Sequence, residues 1–297
     1  GDEMIERIRN STRLIAEGVG VRGLLNIQYA LQSDILYVLE ANPRASRTVP
    51  FVSKATNTSL AKAAARIMLG ASIRELRDEG LLRPVGDGTN VSPGSPVAVK
   101  EAVMPFNRFR TASGALVDTL LGPEMRSTGE VMGLDLSFGT AYAKTQSAGG
   151  FPVPSEGTVF VSIANRDKRH AIWPIKRLAD LGFRILATSG TASVLRRNGV
   201  AVQEVTKLSQ RVDGDAAPSI VDLIKNGGID LIFNTPQGAS VNTNPRKDGY
   251  LIRAASILAD VPCITTVPTM AAIVQSIESK RAGHLEVRSL QDWAARS

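Results

Sequence analysis

The sequence contains one cysteine and few aromatic residues, and each shortage excludes a class of protein. Because Cys263 has no second cysteine to pair with, no intramolecular disulfide holds the fold together. Aromatic residues make up 5% of the chain, so nucleic-acid binding by base stacking is disfavoured despite the net charge of +7. No apolar run reaches the roughly 20 residues of a membrane-spanning helix, and no signal-peptide pattern occurs. We therefore expect a cytoplasmic protein that binds neither nucleic acid nor membranes.

The length and the turn-forming residues predict two domains. At 297 residues the chain is longer than one ordinary domain. The run Gly149-Gly150-Phe151-Pro152-Val153-Pro154 can continue neither a helix nor a hydrogen-bonded strand. The predicted domains are therefore residues 1–150 and 151–297. The chain opens directly into a helical pattern, which we interpret as the start of a segment cut from a longer protein.

Two apolar stretches, residues 23–31 and 35–42, are predicted to form a β-hairpin around a turn at residues 32–34. Side chains alternate between the two faces of a strand. A turn that sets Leu31 opposite Ile35 therefore places four polar side chains on one face, with Gln28 diagonal to Glu40. These four are Asn26, Gln28, Glu40 and Asn42. The opposite face, expected to pack against a core, carries Leu25, Ile27, Tyr29, Tyr37 and Leu39.

The end of this hairpin combines residues that suit metal and phosphate chemistry. Glu40 and Asn42 supply the hard oxygen ligands that Mg²⁺ prefers, and Gln28 could add a third from the neighbouring strand. Arg44 and Arg47 follow directly, and guanidinium groups bind phosphate oxygens in a fixed fork geometry. The alternative is structural: Glu40 pairs with one of the two arginines at a strand end, and Gln28 bonds to backbone.

The second half alternates short apolar strands with helices, which predicts a parallel sheet covered by helices on both faces. The predicted strands are residues 159–162, 184–188, 202–205, 231–234 and 263–266. The predicted helices are residues 172–181, 192–198, 219–226, 250–260 and 270–281. Sheets of this kind bind ligands at the carboxyl ends of their strands.

Polar residues gather at those carboxyl ends. They are Ser162, Lys168, Thr188, Thr191, Lys207, Asn234 and Thr235. The turn Thr188-Ser189-Gly190-Thr191 would expose backbone N–H groups at a helix N-terminus, and its two hydroxyls would add phosphate donors. We therefore predict an anion site there. On the alternative interpretation the two threonines merely cap the helix that follows.

Five motifs occur together and resemble one family. They are residues 23–28, 40–54, 122–130, 234–236 and 248–253. The chain is similar, over essentially all of its length, to the C-terminal part of the carbamoyl-phosphate synthetase large chain. The resemblance implies an α/β chain in three parts. The end of an ATP-grasp domain (α+β) comes first, a helical and irregular segment follows, and a parallel-sheet α/β domain of methylglyoxal-synthase-like fold comes last.

The resemblance also implies a function. The intact enzyme makes carbamoyl phosphate for arginine and pyrimidine synthesis from bicarbonate, ATP and ammonia, which a glutaminase small chain releases from glutamine. Gln28, Glu40 and Asn42 would hold the Mg²⁺ or Mn²⁺ ions on ATP while carbamate is phosphorylated. Arg44 and Arg47 would stabilise the transferring phosphoryl group. Large chains of the family associate, so an oligomer is expected.

In the second domain the resemblance implies a site for an effector nucleotide, UMP or IMP, on the seven strand-end residues named above. Pro236 follows the Asn-Thr pair where a bacterial relative has a third hydroxyl. An ornithine site would include Glu101 and Thr265, and Cys263 stands where such relatives have a tyrosine. The sequence shows no glycine-rich phosphate loop, so we expect these 297 residues alone to turn over no ATP.

Two other functions remain open at this point. One is a methylglyoxal-synthase-like lyase that eliminates phosphate from a phosphorylated triose, with Asp213 or Asp215 as the catalytic carboxylate. The other is a binding module that is not catalytic, in which residues 1–150 provide an oligomerisation surface. The first depends on analogy at the level of the fold alone. The second is compatible with the role in carbamoyl phosphate synthesis, because large chains of the family associate.

Overall fold

The computed structural model describes residues 1–86, 94–121, 125–206, 218–236, 245–283 and 285–294. The chain divides into two compact units: unit 1 is residues 1–96 with 287–297, and unit 2 is residues 97–286. The boundary near residue 150 that the sequence suggests stays a prediction. None of the described helices is long and apolar enough to cross a lipid bilayer.

Unit 1 consists of helices around a two-stranded antiparallel sheet. Its elements are α1 (Asp2–Val19), β1 (Asn26–Gln32), β2 (Ile35–Asn42), α2 (Thr48–Thr56), α3 (Leu60–Met68), α4 (Ile73–Asp78) and α11 (Leu290–Ala294). Ser72 and Glu75 form a capping box: Ser72 Oγ accepts from the backbone of Glu75, whose carboxylate accepts from the backbone of Ser72. The hydroxyls of Thr12 on α1 and Tyr29 on β1 lie 2.8 Å apart, which ties the helix to one face of the hairpin.

The hairpin register differs from the prediction. The turn is two residues long, with Ser33 and Asp34 both at positive φ, so Gln32 lies opposite Ile35. A bulge at Leu39 then shifts the pairing by one residue, since Tyr29 pairs with Val38 but Gln28 pairs with Glu40. The predicted diagonal placement of Gln28 is therefore wrong, because the two side chains are direct partners.

The short turn also explains a second wrong prediction. Tyr37 and Leu39, expected to face a core, are 45% and 64% exposed. Tyr37 lies opposite Ala30 on the face that carries Gln28, because the two-residue turn shifts the register by one residue between the turn and the bulge, and Leu39 is the bulged residue itself. Ile27 and Tyr29, on β1, keep the inward face predicted for them and are half-buried.

Unit 2 begins with a second antiparallel pair, β3 (Val97–Ala102) and β4 (Glu130–Asp135), and the described part of the connection between them contains a 3-10 turn (Phe106–Arg108). Helix α5 (Phe138–Ala148) packs on this pair. Ser137 caps the start of this helix, because its Oγ accepts from the backbone N–H of Thr140 at 3.1 Å.

A five-stranded parallel sheet follows, as predicted. The strands are β5 (Thr158–Ser162), β6 (Arg184–Ala187), β7 (Gln203–Glu204), β8 (Leu231–Asn234) and β9 (Cys263–Ile264). Their spatial order is β7-β6-β5-β8-β9, so the chain builds outward from β5 to one side and then crosses to the other. The helices are α6 (Lys168–Asp180), α7 (Ser189–Arg197), α8 (Ile220–Lys225), α9 (Pro245–Leu258) and α10 (Val267–Ala282).

The helices form a layer on each face of this sheet. One core cluster joins Val159, Val161 and Phe233 of the sheet to buried apolar side chains of α6, α7 and α10. The other joins Phe160 and Ile232 to those of α8 and α9. Successive residues of each strand thus alternate between two apolar layers, which is why the strands read as continuous apolar runs.

Gly139 provides a test of the packing between α5 and α10. A Cβ at this position would lie 2.5 Å from the backbone oxygen of Gln275 on α10, so the two helices would have to separate. We expect Gly139→Ala to lower the free energy of unfolding by about 1–3 kcal/mol, as overpacking does, although alanine favours a helix. Urea denaturation measures this change.

The control is Gly283→Ala, because nothing lies within 4 Å of a Cβ built there and the backbone of Gly283 is extended. We expect it to leave the stability within about 0.5 kcal/mol of the original. Equal effects of the two substitutions would contradict the close approach at Gly139.

Candidate functional site

The hairpin of unit 1 brings the predicted oxygen ligands together. Gln28 and Glu40 are direct cross-strand partners, as are Asn26 and Asn42 one pair further along. The four side chains therefore share one face, as the sequence predicts. The Asn42 side-chain amide donates a hydrogen bond to Glu40 Oε1, so these two groups touch. Gln28 and Glu40 are exposed and Asn42 is half-buried.

The two arginines lie in the short connection between β2 and α2. The backbone N–H of Arg44 donates to the carbonyl of Asn42 at 2.9 Å, which turns the chain sharply as the strand ends. Arg44 Nη1 donates to the carbonyl of Ala45 at 3.1 Å, and Arg47 occupies the N-cap position of α2. Both residues are exposed within one turn of chain after the oxygen ligands.

In unit 2 the strand ends carry the polar residues predicted for them. Ser162 and Asn234 are neighbours in register at the ends of β5 and β8. Two buried threonine hydroxyls hold the chain that leaves β5: Thr191 Oγ1 accepts from the backbone of Ile163 at 3.2 Å, and Thr235 Oγ1 accepts from that of Ala164 at 2.8 Å. These contacts shape the edge of the sheet around Ser162.

The N-terminus of α7 opens onto the same edge. Thr188 is its N-cap residue, and its side chain makes no capping hydrogen bond to the backbone but donates to Thr191 Oγ1 at 3.4 Å. Lys168 Nζ donates to the carbonyl of Gly190 at 2.8 Å, which places an ammonium group beside the first turn of α7. Cation and helix N-terminus together concentrate positive potential there. Ser162, Lys168, Thr188, Thr191, Asn234 and Thr235 are called the strand-end cluster below.

Three predicted residues fall outside the part of the chain that the structure describes. They are Lys207, Asp213 and Asp215. The strand-end cluster therefore consists of six of the seven residues predicted for the effector site.

A cavity of about 330 Å³ in unit 2 brings Glu101 and Thr265 together, as the resemblance implies. It lies between α5, α9, the end of the parallel sheet and the irregular chain before residue 122, and its lining is mostly apolar. Cys263 also lines this Glu101 cavity. Burial raises the pKa of the Cys263 thiol to about 12, so it is neutral at physiological pH.

Glu101 is the charged group of this cavity. Burial raises the pKa of its carboxyl above the usual value, and a hydrogen bond from Gln146 Nε2 offsets part of that rise. Burial, together with the charge of Glu101, also raises the pKa of the Tyr142 hydroxyl, which stays protonated. Thr119 contributes a buried Oγ1 for which the described residues provide no hydrogen-bond partner. The cavity thus offers one acid and an unsatisfied hydroxyl.

Sequence reasoning assigned no role to five of the residues that matter here. Tyr142 and Gln146 lie one turn apart on α5, and a helical face shared with the core could have identified them. Asp118 and Thr119 lie in irregular chain, where no periodic pattern indicates burial. Arg253, within a motif noted for the resemblance, is only 4% exposed and forms an ion pair with Asp118.

Models of known protein families match one region in each half of the chain. The model of the carbamoyl-phosphate synthase L chain, ATP binding domain, matches residues 1–76, and that of the MGS-like domain matches residues 170–265. The carbamoyl phosphate synthase large chain of Mycobacterium sp. (strain JLS) is 59% identical over 293 residues, 98% of this chain and 26% of that protein. This chain belongs to the carbamoyl phosphate synthase large-chain family.

Other large chains agree. That of Mycobacterium tuberculosis (strain ATCC 25618 / H37Rv) is 58% identical over 98% of this chain, and that of Micrococcus luteus is 56% identical over 100% of it. The chain spans about a quarter, 26%, of the length of these relatives. It corresponds to the C-terminal part of the carbamoyl phosphate synthase large chain.

Glu101 makes the stability of the chain depend on pH. Its pKa in the folded state is raised above the usual 4.5, so the folded state holds this proton more tightly than the unfolded chain does. Its stabilising contribution is present at low pH and is lost as pH rises through the raised pKa. We therefore expect Glu101→Gln to raise the melting temperature at pH 7, with little difference from the original chain near pH 4.

Thermal unfolding at several pH values checks this. Glu130→Gln serves as the control, because Glu130 lies on the neighbouring strand in an ion pair with Lys100 at 3.2 Å. A Glu101→Gln chain that is less stable than the original at pH 7 would contradict the assignment of a desolvated carboxyl.

Proposed function

We propose that this chain provides one wall of the ATP site at which a carbamoyl phosphate synthase phosphorylates carbamate, together with the effector-binding domain of that enzyme. The observation that carries this proposal is the hairpin register, which makes Gln28 the direct partner of Glu40 and puts Asn42 against it. Three oxygen ligands thus lie on one exposed face, immediately before Arg44 and Arg47.

The residues present fit Mg²⁺ or Mn²⁺. A carboxylate and two amide oxygens are hard donors, and their position on one face leaves the other coordination positions for ATP phosphates and water. Bound there, the ions neutralise phosphate charge during transfer. Arg44 and Arg47 bind the oxygens of the transferring group and hold it in place. Phosphoryl transfer depends mostly on such positioning and charge neutralisation.

The complete reaction is a property of the longer large chain with its glutaminase small chain. That assembly uses ATP, bicarbonate and ammonia released from glutamine to make carbamoyl phosphate for arginine and pyrimidine synthesis. The ligand face of the hairpin is exposed within unit 1, so a phosphate group bound there by these residues alone would remain largely hydrated. The 297 residues by themselves are therefore proposed to turn over no ATP.

The metal assignment is tested in the longer large chain by Glu40→Gln, which keeps the shape and removes the charge. We expect carbamoyl phosphate formation to fall at least 100-fold, a loss of about 2.7 kcal/mol of transition-state stabilisation. Glu79→Gln, at an exposed ion pair on α4's C-terminal side, should leave the rate unchanged.

The same assay covers the isolated chain. Carbamate-dependent ATP hydrolysis by the purified 297 residues should be at background. Robust turnover by this chain, or a Glu40→Gln enzyme with full activity, would contradict the proposal.

We further propose that the strand-end cluster binds the phosphate of an effector nucleotide, UMP or IMP. Three features support it: an N-terminus of α7 without a side-chain cap, the ammonium of Lys168 beside it, and the buried hydroxyls of Thr188 and Thr191. Phosphate groups bind at helix N-termini because backbone N–H groups and the helix dipole both favour a negative charge. Lys207 is proposed to belong to the same site.

Lys168→Gln tests the effector site. Loss of one charge-assisted contact should weaken UMP or IMP binding about tenfold and reduce its dependence on salt. Lys176→Gln is a matched control on the same helix, because Lys176 pairs with Asp180 on α6 itself, away from the strand ends. Isothermal titration calorimetry measures both, and equal affinities for the two variants would refute the assignment.

The Glu101 cavity is proposed to bind ornithine. Glu101 would pair with an ammonium group of the ligand, which would also bring its raised pKa back down, and Thr265 would bind a polar group nearby. Cys263 contributes a neutral thiol and no charge. Ornithine titration of the Glu101→Gln chain described above is then the direct test, since loss of the acid should abolish binding while it stabilises the fold.

A further inference from the structure

A buried arginine joins the strand-end cluster to the Glu101 cavity. Arg253 lies on α9 and is 4% exposed. Its guanidinium donates hydrogen bonds to two residues from distant parts of the chain. Its Nε and Nη2 donate to the two carboxylate oxygens of Asp118 at 2.6 Å each. Its Nη1 donates to Asn234 Oδ1 at 2.8 Å. One rigid guanidinium therefore fixes both partners.

The contact determines which way the Asn234 amide points. A guanidinium can only donate hydrogen bonds, so Asn234 must turn its oxygen toward Arg253. Its Nδ2 group is then the end available to donate to an anion at the strand ends. A ligand that accepts this hydrogen bond fixes the orientation of the Asn234 amide. The amide oxygen in turn fixes the position of the Arg253 guanidinium.

The contact of Arg253 with Asp118 positions the segment that forms one wall of the cavity. Asp118 Oδ1 also accepts from the backbone N–H of Leu120 at 3.3 Å, and Tyr250 on α9 donates to the carbonyl of Leu116 at 2.7 Å. Burial raises the pKa of Asp118, but the hydrogen bonds and charge of Arg253 outweigh it, so the pKa is lowered and the residue stays ionised. Thr119, between these anchors, lines the cavity with its unsatisfied hydroxyl.

We propose that Asn234, Arg253 and Asp118 form a relay through which a nucleotide at the strand-end cluster orders residues 116–121, the segment that carries Thr119 into the Glu101 cavity. The inference rests on the proposed effector site. Because coupling between two sites is reciprocal, ordering of this segment by a ligand in the cavity strengthens nucleotide binding in the same proportion.

Hydrogen–deuterium exchange of the 297-residue chain, read by mass spectrometry, tests the relay without requiring a ligand in the cavity. UMP and IMP are first titrated by calorimetry, and the tighter of the two is used at saturation. We expect exchange of the peptide that covers residues 116–121 to slow at least fivefold, because opening of that segment must break the Arg253 contact that the nucleotide now holds.

Asp118→Asn should abolish the slowing while nucleotide binding persists. Asp118 is 31% exposed at its side chain, and asparagine keeps one acceptor, so the fold should survive. Arg253→Lys, which keeps the charge but not the fork, is the second variant and should give the same result. Glu278→Gln breaks an ion pair with Arg177 elsewhere in unit 2 and should leave the slowing intact.

The outcomes separate the two proposals. If neither nucleotide binds the original chain, the effector site fails and the relay falls with it. If a nucleotide binds but exchange at residues 116–121 is unchanged, the relay alone is overturned. The relay is also overturned if Asp118→Asn and Arg253→Lys fold, bind nucleotide and slow exchange as the original chain does, since the arginine is then only structural.

Discussion

The parallel pairing of β5 with β8 determines where unit 2 can bind a ligand. The chain adds β6 and β7 on one side of β5 and then crosses to add β8 and β9 on the other. The helices that follow β5 and β8, α6 and α9, lie on opposite faces of the sheet, which leaves a crevice above the strand ends. Register places Ser162 beside Asn234 at that point. Lys168 and Thr235 follow these two strands, and Thr188 and Thr191 follow β6, the other neighbour of β5.

A charge buried at this crevice imposes the next constraint. An unpaired guanidinium inside a protein costs several kcal/mol, so Arg253 requires acceptors on all sides. The sheet supplies only Asn234, and the carboxylate comes from Asp118, 135 residues away in irregular chain. Because Arg253 must be paired, residues 116–120 take a position that their own sequence does not specify. The wall of the cavity that they form therefore depends on the residues at the strand ends.

The sequence predicted the parallel sheet and most of its helices because apolar strands and helical periodicity are local signals, and β2 and β8 begin and end at the predicted residues. The hairpin is more instructive. Its turn is one residue shorter than predicted and its bulge at Leu39 adds one residue, so the two errors cancel and Gln28 still shares a face with Glu40. Neither the turn length nor the bulge is visible in the sequence, so Tyr37, which lies between them, is predicted on the wrong face. Contacts such as those of Gln146 with Glu101 join residues 45 positions apart and have no local signature.

The Glu101 cavity contains two polar groups, the Glu101 carboxyl and the Thr119 hydroxyl, that the surrounding described residues do not fully compensate. A desolvated carboxyl reduces stability, although the hydrogen bond from Gln146 offsets part of that cost, and so does a buried hydroxyl for which the described residues provide no partner. Selection for stability alone would have removed both groups, because Glu101→Gln and Thr119→Val eliminate them with little change in side-chain shape. Cys263 cannot compensate the charge of Glu101, because its thiol is neutral. On the proposed function, a ligand with a positive charge and hydrogen-bonding groups would compensate both polar groups, and its binding would stabilise the fold.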